Sequence, residues 1–306
     1  MPPGFHPLIA AQFCSALADN ALLIVTIALL QRQGLPLWWA PLLKFGFTLS
    51  YVLLAPLVGP LADAMPKARL MAWMNGLKIM GLAGMLAGWH PVLAYSLVGL
   101  GAAAYAPAKY GLVTELVPPR RLVAANGWLE VSIVGAALLG TVLGGLLVAP
   151  WLALPFFGLQ GLDGSLLLLG AVYALAALLQ LAVPDSGARY PAVCRHPAQL
   201  WRDFWRANRR LWRDAEGGLS LAVTTLFWGV GATLQFAVLR WAEAQLALPL
   251  ERAAYLQAAV AVGVVLGAAA AGRWVPLARA RRVLPLGVLL GALIVLLAWL
   301  QDLALA

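Results

Sequence analysis

Apolar residues run along this chain in stretches of roughly twenty or more, parted by short polar and basic interruptions, with no strand-like alternation between them. A helix rising ~1.5 Å per residue needs about 20 residues to cross a ~30 Å hydrocarbon core, so each stretch has the length of a membrane span. Nine spans are predicted, at 8–31, 39–62, 69–90, 91–112, 122–149, 163–183, 218–242, 252–275 and 283–304. The longest polar interruption, 184–217, holds a different pattern. In "LWRDFWRANRRLWRD", Leu200, Trp201, Phe204, Trp205, Leu211 and Trp212 recur at helical spacing opposite Arg202, Arg206, Arg209 and Arg213. This is the signature of an amphipathic helix on a membrane surface, or of a linker helix joining two halves.

Composition agrees with this reading. Hydrophobic residues make up 63% and charged residues 11%, against about 45–50% and about 25% in soluble domains. The chain is therefore expected to be an all-α, multi-pass membrane protein. Its formal net charge of +9 is unevenly distributed. With the N-terminus in the cytoplasm, the inner loops hold most of the basic residues, including Lys67, Arg69, Arg120, Arg121, the 189–213 arginines, Arg273, Arg279, Arg281 and Arg282. The outer side keeps Arg32, Arg240 and Arg252, while Lys44, Lys78 and Lys109 fall inside spans. That bias predicts N-in, C-out and makes the positive charge a report of topology, not of nucleic-acid binding. The opening "MPPGFHPLIAAQF" lacks the basic region of a cleaved signal, so the first span is expected to stay in the mature protein. Cys14 and Cys194 have neither disulfide nor metal spacing, and no metal or cofactor is expected.

Two cytoplasmic segments echo one another six spans apart: "GPLADAMPKARL" at 59–70 and "GRWVPLARARRV" at 272–283. Two parallel halves would produce this repeat. The first copy resembles the G-x-x-x-D-x-x-G-x-x-R loop of the major facilitator superfamily, with Pro66 at the second glycine position. Gly59 there would permit close helix packing, and Asp63 would cap a helix or join a basic group such as Arg69 in a latch at the inner gate. Further stretches, "AQFCSALADNALL" (11–23), "GAAAYAPAKYG" (101–111), "ANGWLE" (125–130) and "LAVTTLFWGVGATLQFAVLRWAE" (221–243), resemble the bacterial lysophospholipid transporters of that superfamily.

The resemblance implies a helical bundle with nine of the usual twelve spans present, which reads as a C-terminally truncated chain. It divides into an N-terminal six-helix half (1–183), a linker (184–217) and an incomplete second half (218–306). It further implies inward movement of lysophospholipid, chiefly lysophosphatidylethanolamine, across the bacterial inner membrane. Reacylation by a partner acyltransferase/acyl-carrier-protein synthetase would follow. A drug or metabolite exporter of the same superfamily is the alternative carrier, because the loop signature selects no substrate; an inactive fragment is the other. An enzyme is not expected: G-x-S-x-G, H-E-x-x-H and H-x4-D are all missing from the sequence.

Polar side chains inside spans then become the candidates, since a charge at mid-membrane costs roughly 2.5–3.5 kcal/mol and needs a partner or a wet cavity. Asp19, half way along the first span and followed by Asn20, ranks first. Lys109 lies about a turn from a span end, where it either snorkels or, with Pro107 opening the local backbone, faces a cavity alongside Tyr105. Glu130, one turn after Asn126, is expected to partner Lys109. Lys78, one turn after Asn75, and Lys44 rank lower. Span seven offers Trp228, Gln235 and Arg240; Arg240 either pairs with Glu243 at the surface or receives phosphate at the outer mouth. Gly140 and Gly144 would let helices approach closely.

Overall fold

The computed structural model describes residues 2–36, 39–148, 161–188, 197–246 and 250–299. They are almost entirely helical, and no strand occurs among the described residues. The chain forms two compact units, Met1–Trp201 and Arg202–Ala306.

The first unit contains α1 (Phe5–Arg32), α2 (Trp39–Ala64), α3 (Lys67–Leu86), α4 (Pro91–Leu116), α5 (Leu122–Leu147) and α6 (Leu162–Leu181). Each predicted span of this half is a helix, displaced by a few residues at its ends. Among the described residues, five helices are long and apolar enough to cross a membrane by length and composition: α1, α2, α4, α5 with the turn before it, and α6. Helix α3 is not among them, because its 20 residues carry Lys67, Arg69 and Lys78. It is nevertheless packed into the bundle against α4 and α6. Helix α1 lies between α5 and α6, and α4 is flanked by α2 and α3.

Close approach of α1 and α5 depends on two glycines. A Cβ at Gly140 would stand 2.5 Å from the Leu17 carbonyl oxygen, and one at Gly144 would stand 2.7 Å from that of Ala21. Gly59, expected to serve such packing, has no atom within 4 Å of a would-be Cβ. Helix α4 continues through Pro107 without a break.

The unit's buried apolar side chains fall into two layers. One holds Phe5, Leu8, Leu70, Met71, Leu112 and Val183, near the α1 N-terminus. The other holds Val25, Leu29, Met85, Tyr95, Leu147 and Leu166, toward the opposite end. Between them lies a belt of buried polar side chains. Ion pairs tie the helix ends at both faces: Arg32 meets Asp163 at 2.8 Å, and Lys67 meets Glu115 at 2.6 Å.

Helix α7 (Pro197–Arg213) forms where the amphipathic pattern predicts it. In the second unit α8 (Ala215–Leu246) packs on α9 (Leu250–Trp274), and a 3-10 stretch, Leu277–Val283, leads to α10 (Pro285–Trp299). Glu216 and Arg281 pair there, bringing the start of α8 beside the α9–α10 connection.

Candidate functional site

Asp19 is the fifteenth residue of the 28-residue α1, about 20 Å from either end at ~1.5 Å per residue. Its carboxylate is held by Lys78 of α3, whose Nζ donates to Oδ1 at 2.8 Å and Oδ2 at 2.7 Å. Lys78 Nζ also donates to Ser15 Oγ at 2.9 Å, and Ser15 Oγ donates to Asn75 Oδ1 at 2.7 Å. Tyr173 of α6 donates its hydroxyl to Asp19 Oδ1 at 2.7 Å. Tyr95 of α4 reaches the Asp19 carbonyl oxygen at 3.4 Å. Helices α3 and α6 thus meet the Asp19 carboxylate of α1, and α4 reaches the main chain of the same residue.

Local geometry explains the convergence. Ser15 and Asp19, four residues apart, share one face of α1, as Asn75 and Lys78, three apart, share one face of α3. Gly101 of α4 gives the lysine stem its room: a Cβ there would lie 2.9 Å from Lys78 Cγ. The Tyr105 and Tyr173 rings flank Lys78 Nζ at 5.4 and 5.3 Å from their centroids, adding cation–π attraction. With three donors, a lysine ammonium placed this way is fully used.

The belt is neutral as a pair, which makes two ions tolerable at this depth. It is also asymmetric. The Lys78 side chain is 1% exposed, whereas that of Asp19 is 17% exposed. The carboxylate therefore keeps an exposed edge while the ammonium is sealed behind it. Asn75 Nδ2 and the Tyr105 hydroxyl are buried without a hydrogen-bond partner, so the belt retains unused polar capacity.

The structure brings together only part of the predicted set. Lys78, ranked below Lys109 from sequence, is the partner of Asp19. Asn20 turns its amide back to the Ala16 carbonyl at 2.8 Å. Lys109 is buried in α4 with its Nζ 4.7 Å from the Tyr110 ring centroid. Lys109 and Glu130 lie within electrostatic reach of one another without a direct salt bridge; Glu130 is half-buried on α5 and Asn126 is exposed. Lys44 is exposed on α2. Trp228, Gln235 and Arg240 belong to α8, but their side chains lie outside the described residues. Ser15, Tyr95 and Tyr173 were missed. A serine four residues before an intramembrane aspartate and a tyrosine at mid-span, whose hydroxyl needs a partner in oil, are the available signals.

At the other predicted locus Asp63 does not cap α3, whose N-cap is Pro66 with no side-chain bond. It lies 3.7 Å from Lys67 instead, and Lys67 bonds more closely to Glu115 at the end of α4. Ser186, beyond α6, donates to Glu115 Oε2 at 2.6 Å. Arg69, expected to take part, is exposed. Lys67 can reach Glu115 because its stem crosses Gly111, where a Cβ would stand 2.8 Å from Lys67 Cε.

A cavity of about 530 Å3 opens between α1 and α5. Phe5, Ile9, Phe13 and Cys14 line one wall, and Trp128, Val131 and Ser132 the other. It is mostly apolar, with His6 and Ser132 as its polar members; the buried Ser132 hydroxyl has no partner. Cys14 brings one end of it to the level of Ser15 along α1. No group of three or more metal-ligating side chains occurs among the described residues.

Comparison with known proteins adds to this geometry. The sequence model of the Major Facilitator Superfamily matches residues 8–305. The chain is 42% identical over 292 residues to the lysophospholipid transporter LplT of Serratia proteamaculans (strain 568), covering 95% of this chain and 71% of that protein. It is 41% identical over 300 residues to the lysophospholipid transporter LplT of Yersinia pestis (strain Pestoides F), covering 98% and 71%.

Proposed function

Because the chain belongs to the major facilitator superfamily, we propose that it carries lysophospholipid, chiefly lysophosphatidylethanolamine, inward across the bacterial inner membrane by alternating access. Reacylation by an acyltransferase/acyl-carrier-protein synthetase would follow. A zwitterionic lysolipid presents an ammonium, a phosphate and one acyl tail, so its carrier needs an anion, a cation and an apolar passage.

The observation that carries this reading is the half-open carboxylate at mid-depth. Asp19 is positioned by Lys78, Ser15 and Tyr173 yet keeps 17% of its side chain exposed. In the proposed mechanism the ammonium of the headgroup docks on the exposed edge of Asp19. Lys78 holds the carboxylate in place, so little reorganisation is needed when the substrate arrives. Lys109, buried on the same side of α4 as Tyr105 and within electrostatic reach of Glu130 and Asp19, receives the phosphate. Arg240 and Lys44 serve its capture from the outer leaflet. The α1–α5 cavity accommodates the tail beside the belt, leaving the headgroup in the polar layer.

The basic loops support an N-terminus in the cytoplasm. The nine helices α1–α6 and α8–α10 are taken as spans, in halves 1–183 and 218–306 joined by 184–217. The Lys67–Glu115–Asp63 cluster, with Gly59 near the end of α2 and Arg69 in the first turn of α3, forms the inner latch. The substrate assignment is tested by measuring uptake of radiolabelled lysophosphatidylethanolamine into spheroplasts alongside export of a soluble cationic drug. Lysolipid uptake without drug export is expected; drug export without lysolipid uptake would replace this reading with the exporter.

A further inference from the structure

Helix α7 has no evident task in moving a lysolipid, yet its sequence is the most strictly sorted in the chain. At ~100° per residue from Leu200, the six large apolar side chains, Leu200, Trp201, Phe204, Trp205, Leu211 and Trp212, fall within an arc of roughly 140°. Arg202, Asp203, Arg206, Arg209, Arg210 and Arg213 fall within the opposing arc, roughly 120° wide. Asn208 is the single polar residue on the apolar side. Three tryptophans lie on that side, and they are not covered: Trp201 is 42%, Trp205 61% and Trp212 52% exposed.

A soluble helix that left such a stripe uncovered would be marginal, since 17 residues barely sustain a helix in water without packing. Two features name the missing cover. Tryptophan favours the headgroup layer, where its ring is buried and its N–H stays wet, over a dry protein interior. Every cation on the opposite arc is arginine, whose planar fork binds phosphate through two parallel hydrogen bonds. With one acid among five arginines, the Arg206–Asp203 contact at 3.3 Å removes little of that charge. The charge sign and donor geometry complement acidic phospholipid. They do not suit the core of another helix bundle.

We propose that α7 docks onto the membrane surface as an acidic-phospholipid-binding helix, its tryptophan stripe in the headgroup layer and its arginines on lipid phosphates. This does not depend on the transported substrate, only on the chain being a membrane protein. Each basic residue near an acidic surface contributes on the order of a fivefold gain in association. Sorting five of them on one face makes docking sensitive to the acidic lipid fraction.

Hydrogen–deuterium exchange of the full chain tests the proposal in nanodiscs of phosphatidylcholine alone and with phosphatidylglycerol at about one third. Amides of 200–213 should exchange at least tenfold more slowly with the acidic lipid, while those of α1 and α4 stay unchanged. In R202Q/R206Q/R209Q/R210Q/R213Q that difference should vanish, leaving weak, lipid-independent protection. In W201S/W205S/W212S protection should be low in both discs. Equal exchange of the unmodified chain in the two discs would overturn the proposal. So would full protection of α7 in detergent without acidic lipid, which would mean that protein covers the stripe. The comparison on the unmodified chain decides the matter even if a variant fails to fold.

Discussion

Removing Lys78 while leaving Asp19 in place should be among the most damaging conservative changes in the first unit. Lys78→Met keeps the length of a stem that is 1% exposed and deletes only the ammonium. The Asp19 carboxylate then loses two charge-assisted hydrogen bonds, of 2.8 and 2.7 Å, and keeps the one from Tyr173. Breaking a buried pair from one side costs 3–5 kcal/mol. Because Asp19 keeps an exposed edge, the lower end, about 3 kcal/mol, is the appropriate figure. Asp19→Asn should cost about as much from the other side, since it leaves the sealed ammonium without its counter-charge. The double variant D19N/K78M removes both ions and should lose only about 2 kcal/mol, against about 6 kcal/mol if the two changes were independent. Reversible unfolding in mixed detergent, followed by tryptophan fluorescence, gives all four stabilities. Additive losses in the double variant would refute the coupling, and with it the claim that Lys78 is what makes Asp19 tolerable at mid-membrane.

Other consequences follow from the same geometry. Glu115→Gln takes the charge from a lysine whose side chain is 3% exposed; with Asp63 still 3.7 Å away, the loss should be about 2 kcal/mol in the same assay. Gly140→Val places side-chain atoms against the Leu17 carbonyl and should push α1 from α5, lowering stability by about 3 kcal/mol or preventing accumulation in the membrane. Arg32→Ala, by contrast, opens a pair whose side chains are 48% and 33% exposed, and should change stability by less than ~1 kcal/mol.

The helices and the amphipathic α7 were legible in the sequence because each is a one-dimensional pattern: a length of apolar residues, or a period. Asp19 was legible for the same reason, as a charge at a depth no side chain can escape. The identity of its partner was not. Depth along a helix follows from counting residues, but the direction a side chain faces depends on how that helix is rotated in the bundle. Lys109 and Lys78 both lie inside spans. Only packing, including the space left by Gly101 for one lysine stem, selects Lys78. Lys67 was overlooked because it falls in a stretch that reads as a loop, whereas it begins α3 and reaches across to α4. Gly59 shows the converse, since a motif position suggested packing that no neighbour provides.

Uptake of labelled lysophosphatidylethanolamine by D19N/K78M, normalised to protein present in the membrane, tests the role of the mid-depth carboxylate most directly, because this variant separates loss of the charge from loss of the fold. Uptake should fall below about a tenth of the unmodified rate, as expected when at least 1.4 kcal/mol of substrate interaction is removed. Unimpaired uptake at equal protein levels would contradict it.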